Sequence, residues 1–126
     1  MFVVNEDKTI ECTRGDAGVF SVSASIGESN YLFQPNDVIR LTVCEKKNYS
    51  RILRQKDVTV TTATTSVEFP LDSDETKIGG VINKPTEFWY TIELNPDSYN
   101  CQTLVGHTKE GARVFMLYPE AVGQEG

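Results

Sequence analysis

Alternation of apolar and polar side chains along short segments is the strongest pattern in this sequence. The clearest case spans residues 88–94, where every second side chain is large and apolar: Phe88, Tyr90, Ile92 and Leu94. The side chains between them are Trp89, Thr91 and Glu93. Because successive side chains of a β-strand point to opposite faces of a sheet, this pattern predicts a strand with one buried face and one face towards solvent.

Further segments with β-strand character occur along the whole chain. They are residues 9–13, 20–26, 38–44, 58–61, 67–71, 102–107 and 112–118, and residues 51–54 give a weaker signal. Pro70 cannot donate a backbone hydrogen bond, so it predicts that the segment 67–71 lies at the edge or end of a sheet. Residues 108–111 form a short loop that ends in glycine, which is typical of a hairpin between the last two segments.

These segments predict an all-β fold. No long stretch has a convincing helical period, and about seven to nine strands separated by turn residues are typical of an antiparallel sandwich or barrel. The one-sided alternation favours two packed sheets over a single flat sheet. The length of 126 residues predicts a single domain, residues 1–126, with a flexible tail at about 119–126, where the periodic pattern stops.

The charge balance excludes several classes of partner. Eighteen acidic side chains against twelve basic ones give a formal net charge of −6. A chain with this balance has no positive field that attracts phosphate backbones or anionic lipids, so we expect neither nucleic acid nor a membrane as a partner. The N-terminus turns acidic after residue 4, unlike a signal peptide, and no apolar run is long enough to span a bilayer. We therefore expect a soluble protein that is made in the cytoplasm.

Residues that could carry catalysis or bind metal are few and scattered. Cys12, Cys44 and Cys101 are an odd number of thiols without the close pairs of disulfide scaffolds or zinc sites, which indicates a reducing compartment. His107 is the one histidine, and no nucleophile motif accompanies it, so we expect it to be structural or exposed. We predict no catalytic residue, no cofactor and no metal site, and therefore no enzyme.

Two short polar motifs have structural interpretations. Residues 72–76 are mostly acidic and either cap a short helical turn or form a solvated loop, and the sequence leaves both open. Arg14-Gly15-Asp16 spells the tripeptide that integrins recognise, but a glycine followed by an aspartate is also a common turn pair. We interpret it as a turn that places the strands 9–13 and 20–26 close together or in direct pairing.

Aromatic residues outside the apolar phase are the candidates for interaction. Trp89 lies out of phase with its neighbours, so its indole is predicted on the outer face of the sheet, where an aromatic side chain tends to mark an interface. Tyr31, Phe33 and Tyr49 fall in predicted loops and would join Trp89 in a contact surface for protein or sugar. The alternative is that loops or a second sheet cover these aromatics as a minor core.

Short motifs in two parts of the chain resemble known phage proteins. The first third carries Thr13-Arg14-Gly15-Asp16, an alternating strand, Tyr31-x-Phe33-x-x-x-Asp37 and Val38-Ile39-Arg40-Leu41-Thr42-Val43. It resembles the N-terminal domain of bacteriophage baseplate upper proteins. The closing half carries residues 88–97, Gln102-Thr103-Leu104-x-Gly106 and Val114-Phe115-x-Leu117-Tyr118-Pro119-Glu120. It is similar to small phage or prophage proteins of Gram-positive bacteria that have no assigned activity.

The resemblance implies an immunoglobulin-like β-sandwich and a non-enzymatic function. In this interpretation the chain is a structural or assembly module of a phage or prophage virion, made in the bacterial cytoplasm and associated with the tail or baseplate. It acts by protein–protein interaction with other tail or baseplate proteins or with itself. The alternative is a carbohydrate-binding β-sandwich module in which Tyr31, Tyr49 and Trp89 are stacking platforms.

Overall fold

All regular secondary structure in the described part of the chain is β-strand. The computed structural model describes residues 1–120, apart from the side chain of Ile26. Its eleven strands are β1 (Phe2–Val4), β2 (Ile10–Thr13), β3 (Gly18–Val22), β4 (Ser25–Ile26), β5 (Ser29–Asn30), β6 (Val38–Glu45), β7 (Asn48–Thr59), β8 (Val67–Leu71), β9 (Thr86–Leu94), β10 (Gln102–Val105) and β11 (Arg113–Tyr118). Residues 1–120 contain no helix that is long and apolar enough to cross a membrane. The expected flexible tail lies outside the described residues from position 121 onward.

Seven of these strands form one large sheet with β9 near its centre. The order is β1-β2-β11-β9-β6-β7, and β10 also pairs with β9. β6 lies along one edge of β9, whereas β11 and β10 share the other edge. β2 and β11 run parallel, and the other described pairs in the sheet are antiparallel. β3 and β8 form a separate two-stranded ribbon, and β4 and β5 form a small hairpin.

The core lies between the inner face of the large sheet and the β3–β8 ribbon. The predicted phase of β9 is confirmed, because the apolar members of its alternation, Phe88, Tyr90, Ile92 and Leu94, are all buried. The ribbon contributes Phe20 and Phe69, whose rings stack with centroids 5.1 Å apart. The edge position predicted from Pro70 is also confirmed, since β8 pairs only with β3 in the described structure and Pro70 is exposed.

Several strand boundaries and pairings differ from the prediction. The expected strand 20–26 ends at Val22, and Ser25–Ile26 instead forms a hairpin around Gly27, whose φ is +61°. The neighbouring strand β2 pairs with β1 and β11 rather than with β3. These short additional strands explain why eleven are found where about seven to nine were expected.

The predicted strand 51–54 and the first two residues of the predicted strand 58–61 belong to one long strand, β7, which ends at Thr59. It pairs with β6 from Val38↔Thr59 to Glu45↔Asn48, with two register shifts near the turn. Lys47 occupies the turn with a φ of +65°. Most of β7 is exposed at the edge of the sheet, so its sequence needs no apolar alternation to form a strand.

The predicted hairpin between residues 102–107 and 112–118 is wrong. β10 and β11 do not pair with each other but run in the same direction beside β9. Val105 lies opposite Ile92, and Arg113 lies opposite Tyr90, so the intervening residues leave the sheet and return to it. We call residues 106–112 the excursion loop.

The acidic segment and the Arg14-Gly15-Asp16 tripeptide both serve the fold. The Glu75 N–H donates to Asp72 Oδ1 at 2.8 Å, and the Asp72 N–H donates to Glu75 Oε1 at 2.9 Å, which is the reciprocal arrangement of a capped turn. Arg14 is 6% exposed and forms an ion pair with Glu120 at 2.9 Å. The tripeptide is therefore a structural turn and does not present an exposed arginine.

A carboxylate joins the loop before β6 to the end of β9. Asp37 accepts hydrogen bonds from the Tyr31 hydroxyl at 2.9 Å, the Gln34 N–H at 2.8 Å and the Asn95 amide at 3.1 Å. Asn95 also accepts from the Val38 N–H at 2.8 Å. Burial raises the pKa of the Asp37 carboxyl, but these hydrogen bonds outweigh it and leave the pKa below 3.8. The network therefore favours the ionised carboxylate in the folded protein.

Because of this network, the free energy of unfolding should decrease as the pH becomes acidic. A carboxyl with a lowered pKa stabilises the fold above its unfolded-state pKa, and this contribution is lost as the pH falls through the folded-state value. We expect Asp37→Asn to lower the free energy of unfolding by about 1–3 kcal/mol at neutral pH, because an amide cannot accept all of these hydrogen bonds. The difference from the parent chain should shrink as the pH falls below 3.8.

Urea denaturation at a series of pH values measures this difference. Glu28→Gln is the matched control, since it removes an exposed carboxylate. If the Asp37→Asn difference stays constant across the acid range, the assignment of the hydrogen-bonded carboxylate is wrong.

Candidate functional site

The outer face of the large sheet carries a row of apolar side chains. Trp89 on β9 is half-buried and lies on the face opposite the core side chains of the same strand. It stands in register with Cys44 on β6 and Val114 on β11, and Cys44 stands in register with Ile52 on β7. Ile52 is 53% exposed. We call Val114, Trp89, Cys44 and Ile52 the outer apolar row.

Two further rings pack against Trp89. The Tyr49 ring centroid lies 5.3 Å from the Trp89 centroid, and the His107 ring is edge-on to the indole at 5.9 Å. Tyr49 and His107 also contact each other, with Tyr49 Oη 3.3 Å from His107 Nδ1. These distances are typical of interacting aromatic pairs. We call Trp89, Tyr49 and His107 the outer aromatic cluster.

The excursion loop explains how His107 reaches the outer face. A register shift between Thr103 and Val105 ends the regular pairing of β10 with β9. Gly106 follows, where an added Cβ would lie 2.6 Å from a Thr103 methyl carbon, so a larger residue here would force the Thr103 side chain to shift. A Thr108–Gly111 bridge then closes the loop before β11 begins. The loop partly covers Trp89 but leaves Tyr49 and Ile52 exposed.

Charged residues beside the outer apolar row are paired with each other. Arg40 Nε lies 2.7 Å from one Asp57 oxygen, and the same guanidinium contacts Asp97 at 3.2 Å. Lys46 Nζ lies 3.6 Å from Glu87. Glu87 lies two residues before Trp89 on β9, and Arg40 lies four residues before Cys44 on β6, so charged side chains border the row on both sides, as in an apolar centre with a polar rim.

The two buried thiols, Cys44 behind this face and Cys12 in the core, lack the character of nucleophiles. Burial raises the pKa of the Cys44 thiol, which donates to the Trp89 carbonyl at 3.4 Å. Burial likewise raises the pKa of Cys12 to about 11. Thiols with raised pKa values stay protonated near neutral pH and react poorly. Among residues 1–120, no group of three or more His, Cys, Asp or Glu side chains is arranged to hold a metal ion.

The four aromatic candidates from the sequence do not form one surface. Trp89 and Tyr49 come together as expected. Phe33 is fully buried in the core, so its assignment to an exposed contact surface is wrong. The Phe33 N–H donates a hydrogen bond to the Thr64 carbonyl, and the Thr64 N–H donates to the Phe33 carbonyl. These two hydrogen bonds hold the loop against the residues around Thr64. Tyr31 is half-buried, packs edge-on against Phe33 at 5.1 Å, and lines a separate cavity near Leu94.

Sequence reasoning missed several members of the outer surface. His107 was expected only to be structural or exposed, and Ile52 lay in a segment with a weak strand signal. One available signal was the composition of β11, in which both phases are apolar: Val114 and Met116 alternate with Phe115 and Leu117. A strand with two apolar faces predicts that its outer face also has contacts. The positions of Tyr49 and His107 carried no comparable signal.

Comparison with known proteins does not identify a family for this chain. No protein-family profile, curated protein or solved structure matches it. The resemblance to phage baseplate proteins therefore stays a prediction.

The different burial of Phe33 and Tyr49 leads to effects of different size on stability. We expect Phe33→Ala to lower the free energy of unfolding by about 3–5 kcal/mol, because it opens a cavity in the core. Tyr49→Ala should change it by less than about 1 kcal/mol, since Tyr49 is 39% exposed. Urea denaturation followed by circular dichroism measures both values. Equal losses for the two variants would contradict the division between core and surface.

Proposed function

We propose that this protein is a non-enzymatic assembly module that binds another protein subunit through the outer face of its large sheet. The observation that carries the proposal is the outer apolar row with the outer aromatic cluster beside it. Ile52 and Tyr49 stay 53% and 39% exposed there. A partly exposed apolar row held on a rigid sheet is suited to burial against a partner.

The composition of this face supports protein binding. Interfaces are commonly anchored by aromatic side chains, tryptophan and tyrosine above all, with a rim of polar and charged groups around them. Trp89 and Tyr49 are such side chains, and the ion pairs Lys46–Glu87 and Arg40–Asp57 lie farther out on the same sheet. The backbone hydrogen bonds that pair β6 with β9 and with β7 fix the strands that carry Trp89 and Tyr49 before a partner binds. Binding then costs little ordering of the protein itself.

The edges of the sheets are less suited to this function. β7 forms one edge of the large sheet, and it carries Arg51, Arg54, Lys56 and Asp57. Charged residues on an edge strand oppose the addition of another strand. On β8, Pro70 removes a backbone donor from the ribbon. Association through the outer face is therefore favoured over association through a strand edge.

The biological setting in this proposal is a phage or prophage virion. Its support is the resemblance of residues 13–43 and 88–120 to baseplate upper proteins and to small phage proteins of Gram-positive bacteria. An immunoglobulin-like sandwich belongs to the same proposal, and the packing of the β3–β8 ribbon on the large sheet is compatible with it. The partners are other tail or baseplate proteins, or a second copy of this chain. The protein is then made in the bacterial cytoplasm and ends in the virion.

Substitution of the tryptophan tests the surface. We expect Trp89→Ala to weaken association by about 2 kcal/mol, or roughly 30-fold in Kd, because it removes the central anchor. Ile52→Lys should weaken it as well, since it places an unpaired charge in the outer apolar row. Tyr99→Ala is the control, because Tyr99 is fully exposed and lies outside the row.

Sedimentation equilibrium over a range of concentrations measures self-association. Biolayer interferometry with purified tail and baseplate proteins encoded in the same genome measures binding to other subunits. Urea denaturation of each variant shows that the fold is retained. A strict monomer that also binds none of those subunits would overturn the proposal.

A further inference from the structure

A second concave site lies at the end of β9, and Trp89, Tyr49 and His107 are not among the residues that line it. It is a cavity of about 410 Å³, within the size range of small-molecule sites. One wall comes from the β4–β5 hairpin, the opposite wall from β10, and the floor from the end of β9 and the turn that follows it. The lining residues are Ala24, Ser25, Tyr31, Leu94, Asn95, Asn100, Gln102, Thr103 and Leu104.

The lining combines polar and apolar groups and carries no charged side chain among the described residues. Its hydrogen-bonding groups are side-chain amides and hydroxyls, and no Asp, Glu, Lys or Arg is among the described residues that line it. Ser25, Gln102 and Thr103 make no side-chain hydrogen bond within residues 1–120, so they are free to bond with a ligand. The Asn100 amide oxygen accepts from the Ser98 hydroxyl, which leaves the amide N–H groups available. The rings and methyl groups of Tyr31, Leu94 and Leu104 supply the apolar part.

The walls of this cavity are held before any ligand binds. The Asn95 N–H donates a hydrogen bond to the Val38 carbonyl at 2.7 Å. Two turns follow in the chain. The Ser98 N–H donates to the Asn95 carbonyl in the first turn, and the Cys101 N–H donates to the Ser98 carbonyl in the second. The Tyr31 N–H donates to the Ala24 carbonyl at 2.8 Å, and its hydroxyl is bonded to Asp37. A site with fixed walls loses little conformational entropy on binding.

We propose that this cavity binds a neutral saccharide. An anion would find no cationic side chain in the lining, and a cation would find no carboxylate. An apolar ligand would use none of the exposed amides and hydroxyls that surround the cavity. Sugar hydroxyls both donate and accept, as do the side chains of Asn100, Gln102, Ser25 and Thr103. The Tyr31 ring and Leu104 can contact the apolar face of a sugar ring.

This inference goes beyond the proposed assembly function and does not rest on it. The cavity lies near Leu94, whereas the outer aromatic cluster is centred on Trp89, five residues earlier on the same strand, which corresponds to about 16 Å of strand. Trp89→Ala should therefore leave saccharide binding unchanged, so the two proposals fail or succeed separately.

Titration of the ¹⁵N-labelled protein in NMR spectra tests the proposal. The probes are cellobiose, lactose, N,N′-diacetylchitobiose and rhamnose at millimolar concentration, with glucuronic acid as a charged counterpart. We expect at least one neutral probe to shift the side-chain amide signals of Asn100 and Gln102 and the backbone signal of Thr103. Asn100→Ala and Gln102→Ala should each raise Kd roughly 2- to 10-fold, the loss of one hydrogen bond.

A matched control variant shows whether the effect is specific to the cavity. Gln55→Ala removes an amide on the outer face, where Gln55 donates to Thr42 at 3.0 Å, and it should leave Kd unchanged.

Four results would overturn the proposal. One is the absence of shifts at these residues with every neutral probe, and another is equal binding of glucuronic acid. A third is a Kd that neither Asn100→Ala nor Gln102→Ala changes. The fourth is the same set of shifts with N-acetylglycine N-methylamide at equal affinity, which would assign the cavity to peptide groups instead.

Discussion

The burial of one face of β9 is the interaction on which the rest of this structure depends. β9 is bonded along both edges, to β6 on one side and to β10 and β11 on the other. Its apolar side chains meet Phe20 and Phe69 of the β3–β8 ribbon in a single core. Each large apolar side chain contributes about 1.5–3 kcal/mol when it is fully buried. A shift of one residue in the register would exchange this face for Trp89, Thr91 and Glu93, so the phase of β9 is strongly determined.

Both proposed sites follow from the position of β9. The alternation that buries Phe88 and Tyr90 turns Trp89 outward, and the register with β6 and β11 extends it into the outer apolar row. At the other end of the strand, Leu94 and Asn95 form the floor of the uncharged cavity. One surface is apolar with charged side chains at its borders, and the other combines polar and apolar groups without a charged side chain in its lining. This difference is why we assign a protein partner to the first and a neutral saccharide to the second.

The predictions that succeeded rest on local stereochemistry. The phase of β9 follows from side-chain alternation, and the edge position of β8 follows from the missing N–H of Pro70. The failures involve residues whose environment is set by distant parts of the chain. Phe33 does not belong to a segment with alternating apolar side chains, and the backbone hydrogen bonds that hold it join it to Thr64, 31 residues away in the sequence. The β6–β7 turn contains Lys47 at a φ of +65°, where a glycine or asparagine would have been the usual signal.

The sequence by itself determined the all-β class, the inward and outward faces of the main strands, and the outward direction of Trp89. It could do so because the two-residue period is a property of each strand alone. The tertiary structure decided which strands are neighbours: β10 and β11 share one edge of β9, and Tyr49 meets His107 although the two are 58 residues apart. Strand pairing and loop closure depend on contacts between distant segments, and the spacing of residues along the chain does not encode those contacts.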